Sequence, residues 1–179
     1  GAVETWEEAS ASTLVFRPSV SLPGQVGRIR ASVFATLPET IEALTRDGEA
    51  WEGPTMGWRF RDVDLVDGVL YRPGAELHLR SRRNRLGLAF QPRETVSAAL
   101  YETWTTNRWF GSWLMDGLVT WPLAQATGMA MTTAPAPAPN SHAARYEALL
   151  GVTPDRIAGD VHFDELVLFG DLSNNADKW

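Results

Sequence analysis

The sequence predicts an α/β fold in which a β-meander precedes a parallel sheet with helices. Two observations predict it. From residue 93 onward, helical and strand-like patterns alternate, which is typical of parallel strands joined by helices. Before that point, residues 59–81 contain short apolar runs separated by turn residues. With 179 residues, 44% of them hydrophobic, the chain can form one domain, or one domain with a small appendage.

The N-terminal third of the chain carries weaker patterns. Residues 1–13 have the pattern of a loose leader. The segment TLVFRPSVSLPG, residues 13–24, begins with an apolar run and continues with turn residues, which predicts a strand and a turn. A short helix is predicted over residues 38–48, with Thr36 or Pro38 at its start.

The clearest local pattern is a β-meander over residues 59–81. Apolar residues alternate on both sides of Asp67 and Gly68, and an Asp-Gly pair between such residues is typical of a tight hairpin. A third strand, AELHLRS at residues 75–81, follows a Pro-Gly turn. This part of the chain is therefore expected to consist of three short antiparallel strands.

The second half of the chain alternates helices and strands. RETVSAALYETWTTN, residues 93–107, spaces its apolar residues as a helix does. A second helix is predicted from about Phe110 to Ala126, where Pro122 should kink or interrupt it. The remaining elements are a strand at 128–134, an extended proline-rich loop at 135–139, a helix at 140–151 begun by Asn140 or Ser141 and ended by Gly151, and strands within 155–170.

Composition argues against several classes of function. The formal net charge is −6, which disfavours non-specific nucleic-acid binding. The absence of cysteine excludes disulfides, thiolate metal sites and cysteine nucleophiles. No apolar run is long enough for a transmembrane helix and the acidic N-terminus is not a signal peptide, so we predict a cytoplasmic protein. The start at glycine and the polar end NNADKW predict a piece of a longer protein.

Motifs for nucleotides, metals and serine nucleophiles do not occur in the sequence. Both phosphate-binding glycine motifs are missing, and His78, His142 and His162 lack the spacing of metal ligands. Ser112 lacks the second glycine of a nucleophile elbow. We therefore predict no metal and no cofactor.

The segment HLRSRRNR, residues 78–85, contains four arginines and allows two interpretations. The arginines could grip a phosphate or an acidic sugar. They could instead form the charged, solvated side of an edge strand. We favour the second interpretation, because acidic residues elsewhere in the chain can also pair with these arginines.

The stretch TNRWFGSWLMDGLVTWPL, residues 106–123, places polar residues among large aromatic side chains. If it is helical, Trp109, Trp113 and Asp116 fall near one face. A carboxylate beside apolar rings can act as a general base, and aromatic faces can pack against the C–H faces of sugar rings. The alternative is a buried helix whose tryptophans form a core stripe, with Asp116 capping or pairing locally. Physical reasoning alone favours the core stripe.

The order of these features resembles the N-terminal half of glycosyltransferase family 61, which includes capsular-polysaccharide transferases. The segments that carry the resemblance are, in order, VDLVDGVLY, TNRWFGSWLMDGL, YEALLGV and DRIAGDVHFDELVLFGD. Together they cover roughly residues 60–179. In the second segment, Asn107, Trp113 and Asp116 match the family's motif, and Gly111 matches it less closely.

Two positions depart from that motif. Ser112 stands where the family often has histidine, and Val119 stands where it often has proline. The histidine would be the expected acid or base, so Asp116 is the remaining candidate for the catalytic base. The residues assigned to substrate binding are Asn107, Arg108, Ser112 and Trp113.

The resemblance also implies a GT-B-like fold of two Rossmann-like domains, with the donor held mainly by a C-terminal domain that is absent from this chain. Residues 1–58 would be a leader and irregular β segment, and residues 59–179 the β-meander plus a Rossmann-like acceptor-side domain. The implied activity moves a sugar from a nucleotide-sugar donor to a glycan or lipid-linked acceptor in polysaccharide biosynthesis. The competing interpretation is a non-catalytic module that binds carbohydrate or a partner protein, which the departure at Ser112 favours.

Overall fold

The computed structural model of the protein describes residues 1–33, 35–81 and 94–171. In this part of the chain strands predominate over helices, and the predicted α/β class is confirmed as a mixed sheet that includes parallel strands. The strands are β1 Glu4–Ala9, β2 Ser12–Phe16, β3 Gly48–Glu52, β4 Thr55–Phe60, β5 Val63–Val66, β6 Val69–Arg72, β7 Ala75–His78, β8 Thr95–Leu100, β9 Ala130–Thr132, β10 Asp155–Arg156 and β11 Val161–Asp171. The helices are α1 Leu37–Thr45, α2 Phe110–Ser112, α3 Trp121–Ala126 and α4 His142–Leu150, with a 3-10 turn at Val26–Arg28 and a π-helical turn at Trp113–Gly117.

Nine of the strands in the described residues form one sheet, and β2 and β3 form a separate ribbon. The main path through the sheet runs β10-β9-β8-β11-β5-β6-β7, and β4 joins it by pairing with β11 and β1. The strands β10, β9, β8 and β11 are parallel, whereas β11 is antiparallel to β4 and β5. The carboxyl ends of β8, β9 and β10 therefore meet at one edge of the sheet.

The helix predicted over residues 93–107 is wrong, because the described part of this segment contains β8 and turns. In β8, Ala98 and Leu100 are buried in one hydrophobic core, whereas Ala99 and the following Tyr101 are buried in another. A strand buried on both faces has a continuous apolar run without alternation, and such a run does not distinguish a strand from a helix.

The sheet separates two hydrophobic cores. One core joins the meander to β8 and β11, and consists of Val63, Leu65, Leu70, Leu79, Ala98, Leu100, Val161, Phe163 and Leu166. The other joins β8 and β11 to α3, and consists of Ala99, Tyr101, Trp121, Ala124, Val152, Val167 and Phe169. Both Phe163 and Leu166 face the first core because an irregularity in the pairing with β8 inserts Asp164 between them.

The predicted β-meander is confirmed as β5, β6 and β7, with Asp67 and Gly68 at its first turn. Both turn residues have positive φ, 51° for Asp67 and 78° for Gly68. This is the conformation that a two-residue hairpin turn requires and that an Asp-Gly pair adopts readily. Leu79, just after β7, contacts the loop that follows β8. Its carbonyl accepts a hydrogen bond of 3.0 Å from the side chain of Asn107 in that loop.

The loose leader predicted for residues 1–13 is wrong, because β1 pairs with β4 and extends the main sheet. Trp6 of β1 covers Gly57 and meets Phe169 edge to face, with ring centroids 6.0 Å apart. The predicted division after residue 58 falls inside β4, which pairs with both β1 and β11.

The helix ends follow their local sequence signals. The predicted start at Thr36 is confirmed, since its hydroxyl accepts the Glu39 N–H in a reciprocal capping box. The interruption predicted at Pro122 is also confirmed: α2 and the π-helical turn are followed by a separate helix, α3, with Pro122 in its first turn. Ser141 caps α4, and Gly151 ends it with φ 65°. In the described residues, no helix combines the length and the apolar character needed to cross a bilayer.

Candidate functional site

A cleft of about 280 Å³ lies at the carboxyl ends of β8, β9 and β10. Ligands of open α/β sheets usually bind outside the carboxyl ends of parallel strands, which makes this position the first candidate for a site. We call it the carboxyl-end cleft. Among the described residues, its polar and aromatic lining residues are Arg80, Tyr101, Glu102, Thr106, Asn107, Arg108, Trp109, Phe110, Trp113, Thr132, Glu147 and Arg156.

The floor of the carboxyl-end cleft contains an ion pair between Arg80 and Glu102. The side chain of Glu102 is 4% exposed, and its Oε2 accepts from Arg80 Nη2 at 3.3 Å. The other carboxylate oxygen accepts the backbone N–H of Thr133, and the Thr133 carbonyl in turn accepts from Arg80. The buried carboxylate thus has both a charge partner and a backbone donor, as a buried charge requires.

Asn107 connects this ion pair to the meander. Its Oδ1 accepts from Arg80 Nη2 at 3.0 Å, and its Nδ2 donates to the Leu79 carbonyl, also at 3.0 Å. Both polar ends of the amide therefore contact the protein itself. Asn107 lines the cleft, and its assignment to substrate binding stays a prediction.

A second ion pair, between Arg156 and Glu147, lines the same cleft. Arg156 Nη2 lies 2.8 Å from both carboxylate oxygens of Glu147, and Nη1 donates to the carbonyls of Ala134 at 3.0 Å and Pro135 at 3.1 Å. One guanidinium therefore joins β10, α4 and the loop after β9. Such a multiply bonded arginine has little rotational freedom, so its position is fixed before a ligand arrives.

An aromatic wall closes one side of the cleft. The rings of Phe110 and Trp113 are stacked with centroids 5.6 Å apart, and Phe110 also contacts Tyr146 of α4 at 5.4 Å. Trp109 is 50% exposed and Phe110 is 44% exposed. The Arg108 guanidinium lies over the Trp109 ring, with its carbon 4.8 Å from the ring centroid. Apolar rings are therefore available to a ligand beside fixed hydrogen-bonding groups.

Tyr101 lines the cleft directly after the carboxyl end of β8. The residue is 4% exposed, and its ring meets Trp121 edge to face at 5.1 Å. Burial raises the pKa of its phenol well above the ordinary value, and the nearby carboxylates of Glu102 and Glu147 raise it further. The hydroxyl therefore remains protonated at any physiological pH, and it already shares a hydrogen bond with the Thr132 side chain.

The cleft brings together three of the five predicted site residues, Asn107, Arg108 and Trp113. Ser112 and Asp116 are not among its lining residues. The expected placement of Asp116 beside Trp113 assumed a regular α-helix, whereas Trp113–Gly117 is a π-helical turn in which the Leu118 N–H donates to the Trp113 carbonyl at 2.9 Å. The extra residue per turn shifts Asp116 around the helix axis relative to the expected position. Asp116 is half-buried.

Sequence reasoning missed three charged residues of the cleft, which are Glu102, Glu147 and Arg156, and it favoured a solvated edge for the segment that contains Arg80. The usable signal was the apolar run VSAAL followed by Tyr101 and Glu102. Interpreted as a buried strand, this run places both residues at a carboxyl end, where functional side chains are common. The helical interpretation hid that signal.

His78, His162 and Arg80 each contact a carboxylate of this chain. His78 contacts Glu76 at 3.0 Å and His162 contacts Asp64 at 2.8 Å, and no group of three potential metal ligands occurs in the residues the structure describes. Of the four arginines in residues 78–85, Arg80 is partly buried in the cleft and not on a solvated edge. Residues 82–85 lie outside the described residues.

Comparisons with known proteins leave the resemblance to glycosyltransferase family 61 as a prediction. No protein-family model, curated protein or solved structure matches the chain.

Proposed function

We propose that the carboxyl-end cleft binds a glycan, and that the chain is the acceptor-side domain of a glycosyltransferase. The observation that carries the proposal is the wall of Phe110 and Trp113, which lines the same cleft as two arginine–glutamate pairs at the ends of parallel strands. A sugar ring has apolar C–H faces and a rim of hydroxyls. The aromatic wall can pack against the C–H faces of the ring, and the polar groups of the cleft floor can form hydrogen bonds with the hydroxyls.

The polar groups of the cleft support this choice because they are planar and held in place. Each carboxylate oxygen has more than one acceptor position, so Glu147 can accept from a sugar hydroxyl while it stays paired with Arg156. Tyr101 supplies a protonated hydroxyl. Fixed donors and acceptors beside an apolar surface are what an orienting small-molecule site requires.

The proposed reaction moves a sugar from a nucleotide-sugar donor to a glycan or lipid-linked acceptor in polysaccharide biosynthesis. The donor would bind to a second Rossmann-like domain outside this chain, in a GT-B-like arrangement. Asp116 is the proposed base, with the acceptor extending past the Trp113 end of the cleft. A base must come within about 2.6–3.2 Å of the hydroxyl whose proton it removes.

A second candidate function is a non-catalytic carbohydrate-binding module. One observation favours it: both carboxylates that line the cleft, Glu102 and Glu147, are paired with arginines, and Asp116 is not a lining residue. A carboxylate held by a guanidinium is already engaged as an acceptor and is less available to take a proton from an acceptor hydroxyl.

Binding to an array of immobilised oligosaccharides tests glycan recognition. We expect Trp113→Ala to abolish the signals of the wild-type protein, because it removes half of the stacked wall. Trp51→Ala is the matched control, since Trp51 is 66% exposed in the β2–β3 ribbon and does not line the cleft. Loss of signal in both variants, or in neither, contradicts the proposal.

Transfer by the natural full-length protein separates the two candidate functions. We expect Asp116→Asn to lower the rate of sugar transfer at least about a hundredfold with glycan binding unchanged, the magnitude typical for loss of a general base. Retained transfer would assign the base elsewhere. Glycan binding without transfer in the wild-type protein would make the chain a binding module.

A further inference from the structure

Among the described residues, two other arginines line the carboxyl-end cleft, and Arg108 differs from both. Arg80 pairs with Glu102, and Arg156 pairs with Glu147. Arg108 forms no ion pair with any residue that the structure describes. Its charge is therefore the one positive charge of the cleft that lacks a carboxylate partner within that part of the chain.

Two tryptophans hold the Arg108 side chain. Its guanidinium carbon lies 4.8 Å from the ring centroid of Trp109 and 5.9 Å from that of Trp104. A guanidinium that lies over an aromatic face keeps the N–H groups along its edge available for other acceptors. The indoles therefore restrict Arg108 without using its hydrogen-bond donors.

The charge balance of the cleft contrasts with that of the chain. Among the residues the structure describes, three arginines and two glutamates line the cleft, which leaves one positive charge, whereas the whole chain has a formal net charge of −6. An exposed acidic surface repels anions, so a lone cation set in a cleft attracts an anionic group specifically to that place. The guanidinium fork matches a carboxylate or a phosphate with two parallel hydrogen bonds.

We propose that the carboxyl-end cleft selects a sugar that carries an anionic group, either a carboxylate or a phosphate ester, and that Arg108 binds that group. The sugar ring lies against Phe110 and Trp113 while its anionic substituent reaches Arg108. This inference rests on the proposed glycan binding and names its substrate class. Arg108 is then a specificity-determining residue.

Matched sugars that differ in one substituent test the inference. The probes are glucose, galactose and mannose, each compared with its uronic acid and with its phosphate ester, and with inorganic phosphate alone. Dissociation constants come from titration of the tryptophan indole N–H resonances. For at least one of the three sugars we expect an anionic member to bind about tenfold more tightly than the neutral one, with a difference that shrinks as salt is added.

Three variants assign that preference to Arg108. Arg108→Gln should remove the preference for the anionic member, so that the anionic sugar binds no more tightly than its neutral counterpart. Arg108→Lys should retain part of it, since a lysine supplies charge without the guanidinium fork. Arg145→Gln, an exposed arginine of α4 that does not line the cleft, should behave as the wild type.

The possible outcomes separate this inference from the proposed function. Equal affinity for neutral and anionic sugars overturns the anionic preference and leaves glycan binding intact. A preference that survives in Arg108→Gln overturns the role of Arg108. Absence of binding to every sugar overturns both proposals, and binding of inorganic phosphate as tightly as any sugar overturns recognition of the ring. A preference for the uronic acid over the phosphate ester, or the reverse, identifies the source of the anion.

Discussion

Arg80 and Asn107 are joined by a hydrogen bond of 3.0 Å that spans the two parts of the sheet. Arg80 follows the last strand of the meander, and Asn107 lies in the loop after β8. The same asparagine donates to the Leu79 carbonyl, so one amide fixes the meander against the parallel strands. The floor of the cleft consequently depends on a contact between segments that are distant in sequence.

Replacing Asn107 by alanine should lower the free energy of unfolding by about 1–3 kcal/mol, because the Leu79 carbonyl loses its donor and Arg80 loses an acceptor. Denaturant unfolding measures the change. Gln125→Ala is the control, since Gln125 is exposed on α3, and it should change stability by less than about 0.5 kcal/mol. An Asn107→Ala variant with wild-type stability and weakened sugar binding would instead make Asn107 a ligand contact and not a structural tie.

Replacing Glu102 by glutamine should destabilise the protein by roughly 1–2 kcal/mol. The amide can still accept the Thr133 N–H, but Arg80 loses its charge partner. The cost stays below that of breaking a fully buried pair, because the Arg80 side chain is 31% exposed. A double-mutant cycle with Arg80→Gln measures the coupling by denaturant unfolding, and an additive double variant would contradict the prediction.

Local signals in the sequence predicted several turns and helix ends correctly, although α1 ends at Thr45 and the predicted end, Gly48, begins β3. The Asp67-Gly68 hairpin, the Thr36 cap and the Gly151 end of α4 each depend on backbone conformations that a few adjacent residues determine. Such features are visible in a single sequence because no distant contact is needed to form them.

The β8 strand and the charged floor of the cleft depend on distant contacts. Ala98 and Ala99 are both fully buried, on opposite faces, and the sheet and α3 that bury them come from other parts of the chain. Arg80 and Glu102 stand 22 positions apart, and no spacing rule links them. The carboxyl ends of parallel strands meet at one edge of a sheet, and this rule could have placed Glu102 at the site. It could be applied only if the segment before Glu102 was recognised as the strand β8.

Tyr101 should make the protein less stable as the pH rises above about 10. Burial, assisted by Glu102 and Glu147, raises the pKa of the folded phenol above that of the unfolded chain. The unfolded chain then loses the phenol proton first, so the free energy of unfolding falls with rising pH until the folded pKa is passed. The slope is at most about 1.4 kcal/mol per pH unit.

Denaturant unfolding of Tyr101→Phe between about pH 9 and pH 11 checks this slope. In Tyr101→Phe the free energy of unfolding should fall less steeply with rising pH than in the wild type. In Tyr71→Phe it should fall as steeply as in the wild type. Parallel curves for the wild type and Tyr101→Phe would mean that the folded phenol titrates as it does in the unfolded chain.

Adding a methyl group at Gly57 should detach β1 from the sheet. A Cβ atom at this position would lie 2.3 Å from the Trp6 ring, a distance that requires the indole to move away from Phe169. We expect Gly57→Ala to cost about 1–3 kcal/mol, as overpacking usually does, and to speed amide exchange in Glu4–Ala9. Gly27→Ala is the control, because a Cβ there meets no atom within 4 Å.

A second variant shows whether Trp6 is the cause of that loss. In a protein that already carries Trp6→Ala, the Gly57→Ala substitution should add almost no further destabilisation, since the clashing ring is gone. If Gly57→Ala lowers the free energy of unfolding equally in the Trp6→Ala background, the strain lies in the β4 backbone. If amide exchange in β1 is unchanged in Gly57→Ala, the sheet accommodates the methyl group without losing its edge strand.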